Sequence, residues 1–533
     1  MTTPDIVILG GSLGGVMAAV QAAQALRMRP ASTPMADGPR IVLVAEGGWL
    51  GGQMTAQAVP PDEHPAIEAG GATKRYLAFR EAMRAHYRQQ PGFRDGPTMT
   101  GGTNPGDGWV SRLCLEPAVA AAWFEAQLQP LVDEGLLRID RGWRAVQATT
   151  RGACVDALRL QDAQGQQRWL GGRMFIDATD TGELLALAGL AHRVGKESRA
   201  EFNEPDAPIH ADPLDQQPIT HVMALRWQAE PGQVALQPPS YGFWRERRVP
   251  HHDHLQFSLC LPAAGGRTAS LPLTGCGPTL DWWRYRRIVS AAQWGSPRDA
   301  AHASPAQPGP AQVGDVTLVN WAQNDYALHP LIEGPQPESS VRQAARELSL
   351  ALLHWLHTEA PRPDGGRGWP EWQPAPDITG TPDGLAQQAY VRESRRIVAR
   401  STITQRDLMQ PPAQRQDSVG IAWYRMDIHP TCTSGHGLNA PAHRMELPLG
   451  AFIHRDGGNV VPGCKNIGVT HLVNACTRVH PAEWLIGEVA GRLAAWRCLH
   501  DWPEHPAEVA AFRADVASAG IPLHWPQTPE GPA

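Results

Sequence analysis

Residues 5–27 read DIVILGGSLGGVMAAVQAAQALR, an apolar run followed by a glycine-rich turn and an alanine-rich segment without a helix breaker. A second apolar run, IVLVAE at 41–46, follows an insertion rich in Pro, Ser and Thr at 30–40. Short β-branched runs are typical of buried strands, and the alanine-rich segment favours a helix. The order strand, glycine turn, helix, strand therefore predicts a βαβ unit with two parallel strands.

The glycine turn, GGSLGG at 10–15, has the composition of a phosphate-binding loop. Gly10 permits a tight turn out of the first strand, and Gly15 permits close packing of the helix on that strand. The free N–H groups and positive dipole end of the helix can then face a pyrophosphate. Ser12 replaces the middle glycine of the usual G-x-G-x-x-G pattern but keeps a small side chain there. Glu46, which ends the second strand, can accept hydrogen bonds from ribose hydroxyls, so we expect a dinucleotide here, with an ordinary strand–helix turn as the alternative.

Two further motifs of small residues indicate which other parts of the chain contact the expected ligand. GGQMT at 51–55 follows the acidic end of the second strand, and its glycines let the backbone approach a flat ligand. A nicotinamide dinucleotide does not need this loop, whereas a flavin laid across the sheet edge does. IDATDTG at 176–182 ends another apolar strand, which can cover the adenosine and pyrophosphate side of a long dinucleotide. An ordinary turn is the alternative interpretation of each motif.

Composition excludes several classes of protein. With 42% apolar and 19% charged residues, the chain can build a core and is not disordered as a whole. A net charge of −6 argues against a nucleic-acid or anionic-membrane partner. Its 8 cysteines form no CxxC pair, which argues against a zinc ribbon and a redox dithiol and predicts reduced thiols in a cytoplasmic protein. No run of about 18 apolar residues predicts a membrane span.

The two ends of the chain differ from the middle in hydrophobic pattern and residue composition. Apolar runs typical of strands occur again at 449–476, before a predicted helix with Pro481 in its first turn. The middle mixes Trp, His and Pro with amphipathic segments such as 339–357, and the insert at 295–315 predicts an exposed loop. We therefore expect an N-terminal nucleotide-binding part at 1–195, a substrate or cap domain at 196–445, a C-terminal nucleotide-binding part at 446–505 and a tail at 506–533.

Taken together, the motifs resemble FAD-dependent oxidoreductases, and NIGVTHLVNACTRVHPAEWLIGEVAG at 466–491 strengthens this similarity. The broad match is the two-dinucleotide-binding superfamily of glutathione reductase and p-hydroxybenzoate hydroxylase. The chain is more closely similar to the xanthan-lyase-like branch. Further strings that fit this branch are DEHPAIEAGGATKRYLAFR (62–80), WVSRLCLEP (109–117), NWAQNDY (320–326), YVRESRRIVA (390–399) and YRMDIHP (424–430).

The resemblance implies an α/β fold, in which a Rossmann-like FAD-binding domain with a central parallel sheet carries an inserted mixed α+β substrate domain. It implies that the first turn and Glu46 hold the ADP half of FAD, that 51–54 line the approach to the isoalloxazine, and that 177–182 close the adenosine side. The helix that begins near Pro481 would face the pyrimidine edge of the flavin, where its positive end favours negative charge. For Gly487 and Gly491 in that helix, cofactor contact and simple helix packing are both open. The implied cofactor-binding residues are Gly10, Gly11, Ser12, Leu13, Gly14, Gly15, Glu46, Gly51, Gly52, Gln53, Met54, Asp177, Ala178, Thr179, Asp180, Gly182, Asn474, Arg478 and His480.

Two histidines are candidates for the base that takes a proton during substrate oxidation. His429 lies in MDIHP and His471 in VTHLVN, near segments expected to flank the flavin. An ordinary histidine has a pKa near 6.5 and can serve without a special environment. Since the chain has 21 histidines, surface or core positions are the alternative. The triplet His251, His252 and His254 suggests no second ligand group, so no metal site is predicted.

A third catalytic candidate is Arg392. Together with Arg395 and Arg396 it lies at helical spacing in YVRESRRI. One interpretation is an anion clamp for a substrate carboxylate. The other is a solvated or salt-bridged face that includes Glu393.

The sequence thus favours an FAD-dependent oxidoreductase that moves a hydride between a small organic substrate and the flavin N5. No second glycine fingerprint or dithiol follows, so electrons pass to oxygen, another diffusible acceptor or transient NAD(P)H. Alternatives are a flavin monooxygenase that uses NAD(P)H and oxygen, and a non-catalytic flavin-binding sensor or scaffold. The substrate, the electron acceptor, the oligomeric state and the mode of flavin attachment stay open.

Overall fold

The computed structural model describes residues 3–27, 38–96, 98, 101–263, 267–275, 279–294 and 314–526. Most of the predicted insertions at 30–40 and 295–315 therefore lie outside the described residues.

Helices and strands occur along the whole described chain. The helices are α1 (Leu13–Arg27), α2 (Lys74–Arg88), α3 (Pro117–Asp133), α4 (Glu183–Leu187), α5 (Arg199–Phe202), α6 (Tyr241–Glu246), α7 (Trp282–Tyr285), α8 (Glu338–Thr358), α9 (Pro376–Thr379), α10 (His471–Thr477), α11 (His480–Arg497) and α12 (Pro506–Ser518). The strands are β1 (Ile6–Leu9), β2 (Ile41–Ala45), β3 (Leu137–Arg141), β4 (Trp143–Arg151), β5 (Cys154–Asp162), β6 (Gln167–Gly171), β7 (Met174–Asp177), β8 (His192–Arg193), β9 (Ile219–Thr220), β10 (Met223–Trp227), β11 (Cys260–Ala263), β12 (Arg267–Ser270), β13 (Arg287–Val289), β14 (Val316–Val319), β15 (Asp325–Tyr326), β16 (Trp372–Pro374), β17 (Arg396–Ile397), β18 (Ser418–Ala422), β19 (Met426–Ile428), β20 (Leu438–Ala440), β21 (Met445–Pro448) and β22 (Val460–Pro462).

The central sheet has five strands in the order β22-β7-β1-β2-β3. Every neighbouring pair in it is parallel. This includes β1 and β2, and α1 lies between these two strands in the chain. Parallel neighbours need a crossover connection, and α1 lies in the one between β1 and β2. The predicted α/β class and the βαβ unit are therefore confirmed. Because β22 comes from residues 460–462, both ends of the chain supply strands to one sheet.

Helix α11 packs along α1 at very short range. A Cβ on Gly487 would lie 2.2 Å from the carbonyl oxygen of Gly14, and one on Gly491 would lie 2.3 Å from that of Ala18. No real Cβ approaches an oxygen this closely, so only glycine allows the two helices to touch. Helix packing thus explains both glycines.

The middle of the chain has an antiparallel sheet in the order β13-β14-β10-β16. Its apolar core includes α8, whose Leu348, Leu352 and Leu356 are fully buried. Trp283 and Trp372 belong to the same core, with ring centroids 4.5 Å apart. Part of the tryptophan content of this region is therefore core rather than surface or pocket. Within the described residues, no helix combines the length and apolarity that crossing a membrane requires.

Of the strand pattern predicted at 449–476, the described structure has β22 at Val460–Pro462, whereas Leu449–Phe452 form a 3-10 helix. Residues 471–477 form α10, because the Thr470 side chain accepts a hydrogen bond from Val473 N and caps the helix. Continuous apolar runs do not distinguish a buried helix from a strand when both faces are covered. All seven residues of α10 are buried.

Candidate functional site

A cavity of about 630 Å³ lies at the carboxyl ends of β1, β2 and β7. We call it the sheet-edge cavity. In parallel α/β sheets, ligands bind outside the carboxyl ends of the strands. The cavity brings the three glycine-rich motifs of the sequence together on one wall. The predicted residues that line it are Gly10, Gly11, Ser12, Glu46, Gly52, Ala178, Thr179 and Asp180.

The turn from β1 into α1 is held very close to the neighbouring turn. Gly10 has φ +109°, and a Cβ on it would lie 2.2 Å from the carbonyl oxygen of Ala178. The Ser12 hydroxyl accepts a hydrogen bond from the N–H of Gly15 at 3.1 Å, so Ser12 is the N-cap of α1. The serine in the fingerprint therefore stabilises the first turn of the helix.

Several predicted residues support this wall without lining the cavity. Gly14 and Gly15 are buried in α1, together with Leu13. A Cβ on Gly14 would lie 1.9 Å from the carbonyl oxygen of Gly463, and one on Gly51 would lie 2.6 Å from the Phe124 ring.

The turn after β7 is built around a buried carboxylate. Asp177 accepts hydrogen bonds from the Thr179 N–H at 3.1 Å and hydroxyl at 2.8 Å, and from the Leu185 N–H at 3.3 Å. Burial raises the pKa of Asp177, and these hydrogen bonds oppose the rise. Gly182 caps α4 at φ +66°. Asp177 and Gly182 thus shape the turn, while Met54 is buried in the hydrophobic core.

Lys465 is a fully buried lysine beside the sheet-edge cavity that sequence reasoning missed. Its Nζ donates to Asp180 Oδ1 at 2.5 Å and lies 3.4 Å from Glu483 Oε2. Glu483 also accepts from Gln53 Nε2 at 2.6 Å and from the Gly14 N–H at 3.3 Å. Burial lowers the pKa of Lys465, but the two carboxylates outweigh burial and raise it well above its usual value. The lysine thus holds a cavity carboxylate against the first turn of α1.

Helix α8 supplies a second wall that sequence reasoning also missed. Its residues Ser339, Arg342, Gln343 and Arg346 line the sheet-edge cavity. Spacing of three and four residues puts these side chains on one face of the helix. The amphipathic pattern at 339–357 was visible in the sequence, but nothing in it indicated which surface this face would meet.

A second cavity, of about 540 Å³, lies among the middle elements. We call it the inner cavity. Its wall combines aromatic and ionisable side chains, including Trp282, Arg286, Trp321, Tyr424, Asp427 and His429. Such a mixture of apolar surface and a few polar groups is typical of a small-molecule site.

His429 is held between two carboxylates on the wall of the inner cavity. Its Nδ1 lies 2.6 Å from Asp325 Oδ2, and its Nε2 lies 3.5 Å from Asp427 Oδ2. Burial and the charge of Arg392 lower the pKa of His429, but the two carboxylates outweigh them and the net shift is upward. The ring is therefore fixed in orientation and retains its proton to a higher pH than an ordinary histidine.

Arg392 differs from the predicted anion clamp. Its segment is not helical, since residues 391–395 have no regular structure. The guanidinium is buried and donates to Asp325 Oδ1 at 2.9 Å, to the Pro218 carbonyl at 2.8 Å and to the Thr220 hydroxyl at 2.8 Å. Protein acceptors thus occupy both terminal nitrogens, while Nε has no acceptor among the described residues, and the side chain does not line either cavity. The geometry gives Arg392 the role of fixing Asp325, which in turn orients His429.

Arg478 and Gln53 lie between the two cavities. Arg478 donates to the Tyr390 hydroxyl at 2.6 Å and to Asp427 Oδ2 at 3.2 Å. Gln53 Nε2 donates to the carbonyl oxygen of Arg478 at 3.1 Å. Tyr390 directly follows Ala389, which lines the sheet-edge cavity, whereas Asp427 lines the inner cavity. Hydrogen bonds from Asp427 through Arg478 to Tyr390, followed by the peptide bond to Ala389, therefore connect the walls of both cavities.

The other predicted polar residues make hydrogen bonds inside the protein, and Oδ1 of Asn474 has no partner among the described residues. His471 Nδ1 lies 2.7 Å from Glu197 Oε2, and Asn474 Nδ2 donates to the Arg392 carbonyl at 3.1 Å. His480 accepts from the Asp62 N–H at 3.0 Å, and burial lowers its pKa to about 4. None of these three residues lines either cavity. Their geometry is that of structural residues.

The histidine triplet at 251–254 lies partly on the inner cavity. His251 stacks on His436 with ring centroids 4.7 Å apart. Across the residues that the structure describes, no group of three or more His, Cys, Asp or Glu is arranged to hold a metal ion.

Comparison with known proteins shows the family of this chain. Residues 5–515 match the family model described as FAD dependent oxidoreductase. The chain belongs to this family. It is therefore an enzyme with FAD as its cofactor. No curated protein matches this FAD-dependent oxidoreductase.

Three solved structures illustrate the partial similarity of this oxidoreductase to known folds. The flavin-dependent brominase Bmp2 is 13% identical over 43% of this chain and 47% of its own, with a TM-score of 0.25. The myxobacterial chondrochloren halogenase CndH is 15% identical over 45% and 46%, with a TM-score of 0.22. The p-nitrophenol 4-monooxygenase PnpA from Pseudomonas putida DLL-E4 is 13% identical over 43% and 48%, with a TM-score of 0.24. The matched part thus spans less than half the length of each of these chains.

Proposed function

We propose that this enzyme oxidises or reduces a small organic substrate in the inner cavity, next to FAD in the sheet-edge cavity. The observation that carries the proposal is His429, which is fixed between two carboxylates on the inner-cavity wall and linked to the other cavity through Asp427, Arg478 and Tyr390. Bound FAD supplies the two-electron acceptor or donor, with hydride exchange at its N5 position. In the direction of substrate oxidation, a diffusible acceptor such as oxygen would take up the two electrons.

The sheet-edge cavity fits a dinucleotide. Gly10, Gly11 and Ser12, in the turn that leads into α1, line it, and the absence of a Cβ at Gly10 lets this turn lie against the turn at Ala178. Glu46, one residue beyond the end of β2, is placed to accept from a ribose. The residues that we assign to FAD contact are Gly10, Gly11, Ser12, Glu46, Gly52, Ala178, Thr179 and Asp180. Supporting this wall from behind are Leu13, Gly14, Gly15, Gly51, Gln53, Met54, Asp177 and Gly182, with Asn474, Arg478 and His480 further along.

In this proposal His429 handles the proton that accompanies substrate oxidation. Because Asp325 accepts from Nδ1–H, Nε2 is the nitrogen that takes or releases the proton. Asp325 keeps its charge: burial raises the pKa of that carboxyl, but Arg392, His429 and the Thr220 hydroxyl together outweigh burial and lower it to about 2. This fixed charge stabilises the imidazolium when Nε2 is protonated.

The proposal includes the domain organisation expected from the sequence. Residues 1–195 and 446–505 form the FAD-binding domain and 196–445 form the substrate domain, which is supported by the shared parallel sheet and by the separate antiparallel sheet of the middle. Helix α12 makes 506–533 more than a tail, because Phe512 and Val516 are buried. The sequence motifs favour the xanthan-lyase-like branch.

The test is an anaerobic titration of the purified, FAD-loaded enzyme with small organic compounds while the flavin absorbance is recorded. We expect at least one compound to bleach the flavin band without NAD(P)H. A flavin that is bleached by NAD(P)H alone, and a substrate that is then hydroxylated with oxygen, would instead identify a monooxygenase.

Glu46→Ala is expected to weaken FAD binding by about 1–3 kcal/mol, the size of a lost hydrogen bond to a charged group. The change is measured as the Kd for FAD during reconstitution of the apo-protein. Glu125→Ala is the matched control, because Glu125 pairs with Arg141 outside the sheet-edge cavity. Equal Kd values for both variants would remove Glu46 from the ribose site.

A further inference from the structure

Arg286 is a buried arginine on the inner cavity that the proposed reaction does not use. It follows α7 directly, is 8% exposed, and lines the cavity with its side chain. Its Nε and Nη1 have no hydrogen-bond acceptor among the described residues. The nearest carboxylate is that of Asp62, with Oδ1 3.4 Å from Nη1. Since buried guanidinium donors that lack acceptors are costly, this side chain is suited to bind an anion that the protein itself does not provide.

Arg286 is the least closely paired of three guanidiniums around the inner cavity. Arg392 lies 2.9 Å from Asp325 and Arg478 lies 3.2 Å from Asp427, whereas Arg286 lies 3.4 Å from Asp62. His429 also contacts Asp325 and Asp427, so those two carboxylates are engaged. One carboxylate on a ligand would complete the pairing of Arg286.

Two tyrosines add neutral donors beside Arg286. Tyr285 and Tyr424 line the inner cavity, and burial raises the pKa of both hydroxyls, so they keep their protons. The Arg286 guanidinium lies 5.1 Å from the centroid of the Tyr285 ring, which limits its movement. A planar carboxylate matches a guanidinium with flanking hydroxyl donors.

Much of the remaining wall is apolar or aromatic, although His251, His252, Asn320, His436 and Asn439 also line it. Leu261, Leu271, Trp282, Trp321, Ile428 and Leu438 contribute to it. Such a surface favours a hydrocarbon or aromatic body over a sugar-like one.

We propose that the substrate is a monocarboxylate with an apolar or aromatic body, and that Arg286 binds its carboxylate in the inner cavity. This inference rests on the proposed function, because it places the substrate in the same cavity as His429. It assigns to Arg286 the anion-binding role that the sequence suggested for Arg392.

The test measures binding rather than turnover. Isothermal titration calorimetry of the FAD-loaded enzyme compares benzoate, phenylacetate and hexanoate, each with its neutral primary amide. We expect at least one acid to bind about 10- to 100-fold more tightly than its amide, as for a gained charge-assisted pair. Arg286→Met should abolish this preference, and Arg286→Lys should retain part of it. If no acid binds more tightly than its amide, the inference is overturned.

Arg245→Met is the matched control, since Arg245 pairs with Glu359 and does not line the inner cavity. It should keep the full preference for the acid. An acid preference that survives Arg286→Met would also overturn the inference, and the wild-type comparison stands even if that variant does not fold. These outcomes are separate from the proposed function, which fails only if no small organic compound reduces the bound FAD.

Discussion

His429→Gln is expected to slow the reduction of bound FAD by substrate about 100- to 10,000-fold, the usual loss when a general base is removed. The FAD content and visible spectrum should stay unchanged, because His429 lines the inner cavity and not the sheet-edge cavity. Stopped-flow absorbance under anaerobic conditions measures the rate. His524→Gln is the matched control, since His524 pairs with Glu446 at 2.8 Å away from both cavities.

The pH dependence of the same rate tests how His429 acts. To accept a proton, Nε2 must be unprotonated, so the rate should rise with pH and reach half its maximum at the pKa of His429. The carboxylates of Asp325 and Asp427 place that midpoint above the ordinary histidine value. Asp427→Asn removes one of them and should move the midpoint to lower pH, while Arg478 keeps its bond to Tyr390. A midpoint that does not move, or a wild-type rate in His429→Gln, would make His429 a structural residue.

The parts of the fold that could be predicted from the sequence depend on neighbours in the chain. The βαβ unit follows from apolar runs and a glycine turn within 46 residues. The same local pattern located the sheet-edge cavity, because three motifs each end a strand of one parallel sheet. Even the departure at Ser12 is local, since its cap bond reaches only to Gly15.

The inner cavity could not be predicted because its contacts are distant in the chain. Asp325 reaches His429 across 104 positions and Arg392 across 67. Arginines at 392, 395 and 396 have helical spacing, but this segment is tied to strands instead, since the Tyr390 N–H donates to the Thr220 carbonyl at 2.8 Å. Tertiary hydrogen bonds therefore override the local pattern. No sequence pattern predicted the role of Lys465, because a single lysine acquires its role only from the carboxylates that folding brings next to it.

Gly10→Ala is expected to yield a folded protein that purifies without FAD. The added Cβ would lie 2.2 Å from the carbonyl oxygen of Ala178, so the turn at 178–179 must move by roughly 1 Å to reach an ordinary contact. That turn forms the opposite side of the sheet-edge cavity, and its displacement alters the surface that we assign to FAD. The ratio of flavin to protein absorbance measures FAD content, and far-UV circular dichroism shows whether the fold persists.

Gly165→Ala separates backbone strain from the effect on the cavity. Gly165 has φ +80°, so alanine there carries a strain of about 1–2 kcal/mol similar to that at Gly10, but nothing lies within 4 Å of the added Cβ. Since Gly165 lies in the turn between β5 and β6, this variant should remain yellow. If Gly10→Ala retains FAD as fully as Gly165→Ala, the phosphate groups do not lie against the turn between β1 and α1. If only Gly10→Ala loses FAD, the loss is due to the collision of the new Cβ with the turn at Ala178. Both variants place alanine at a positive φ, but only Gly10→Ala has this collision.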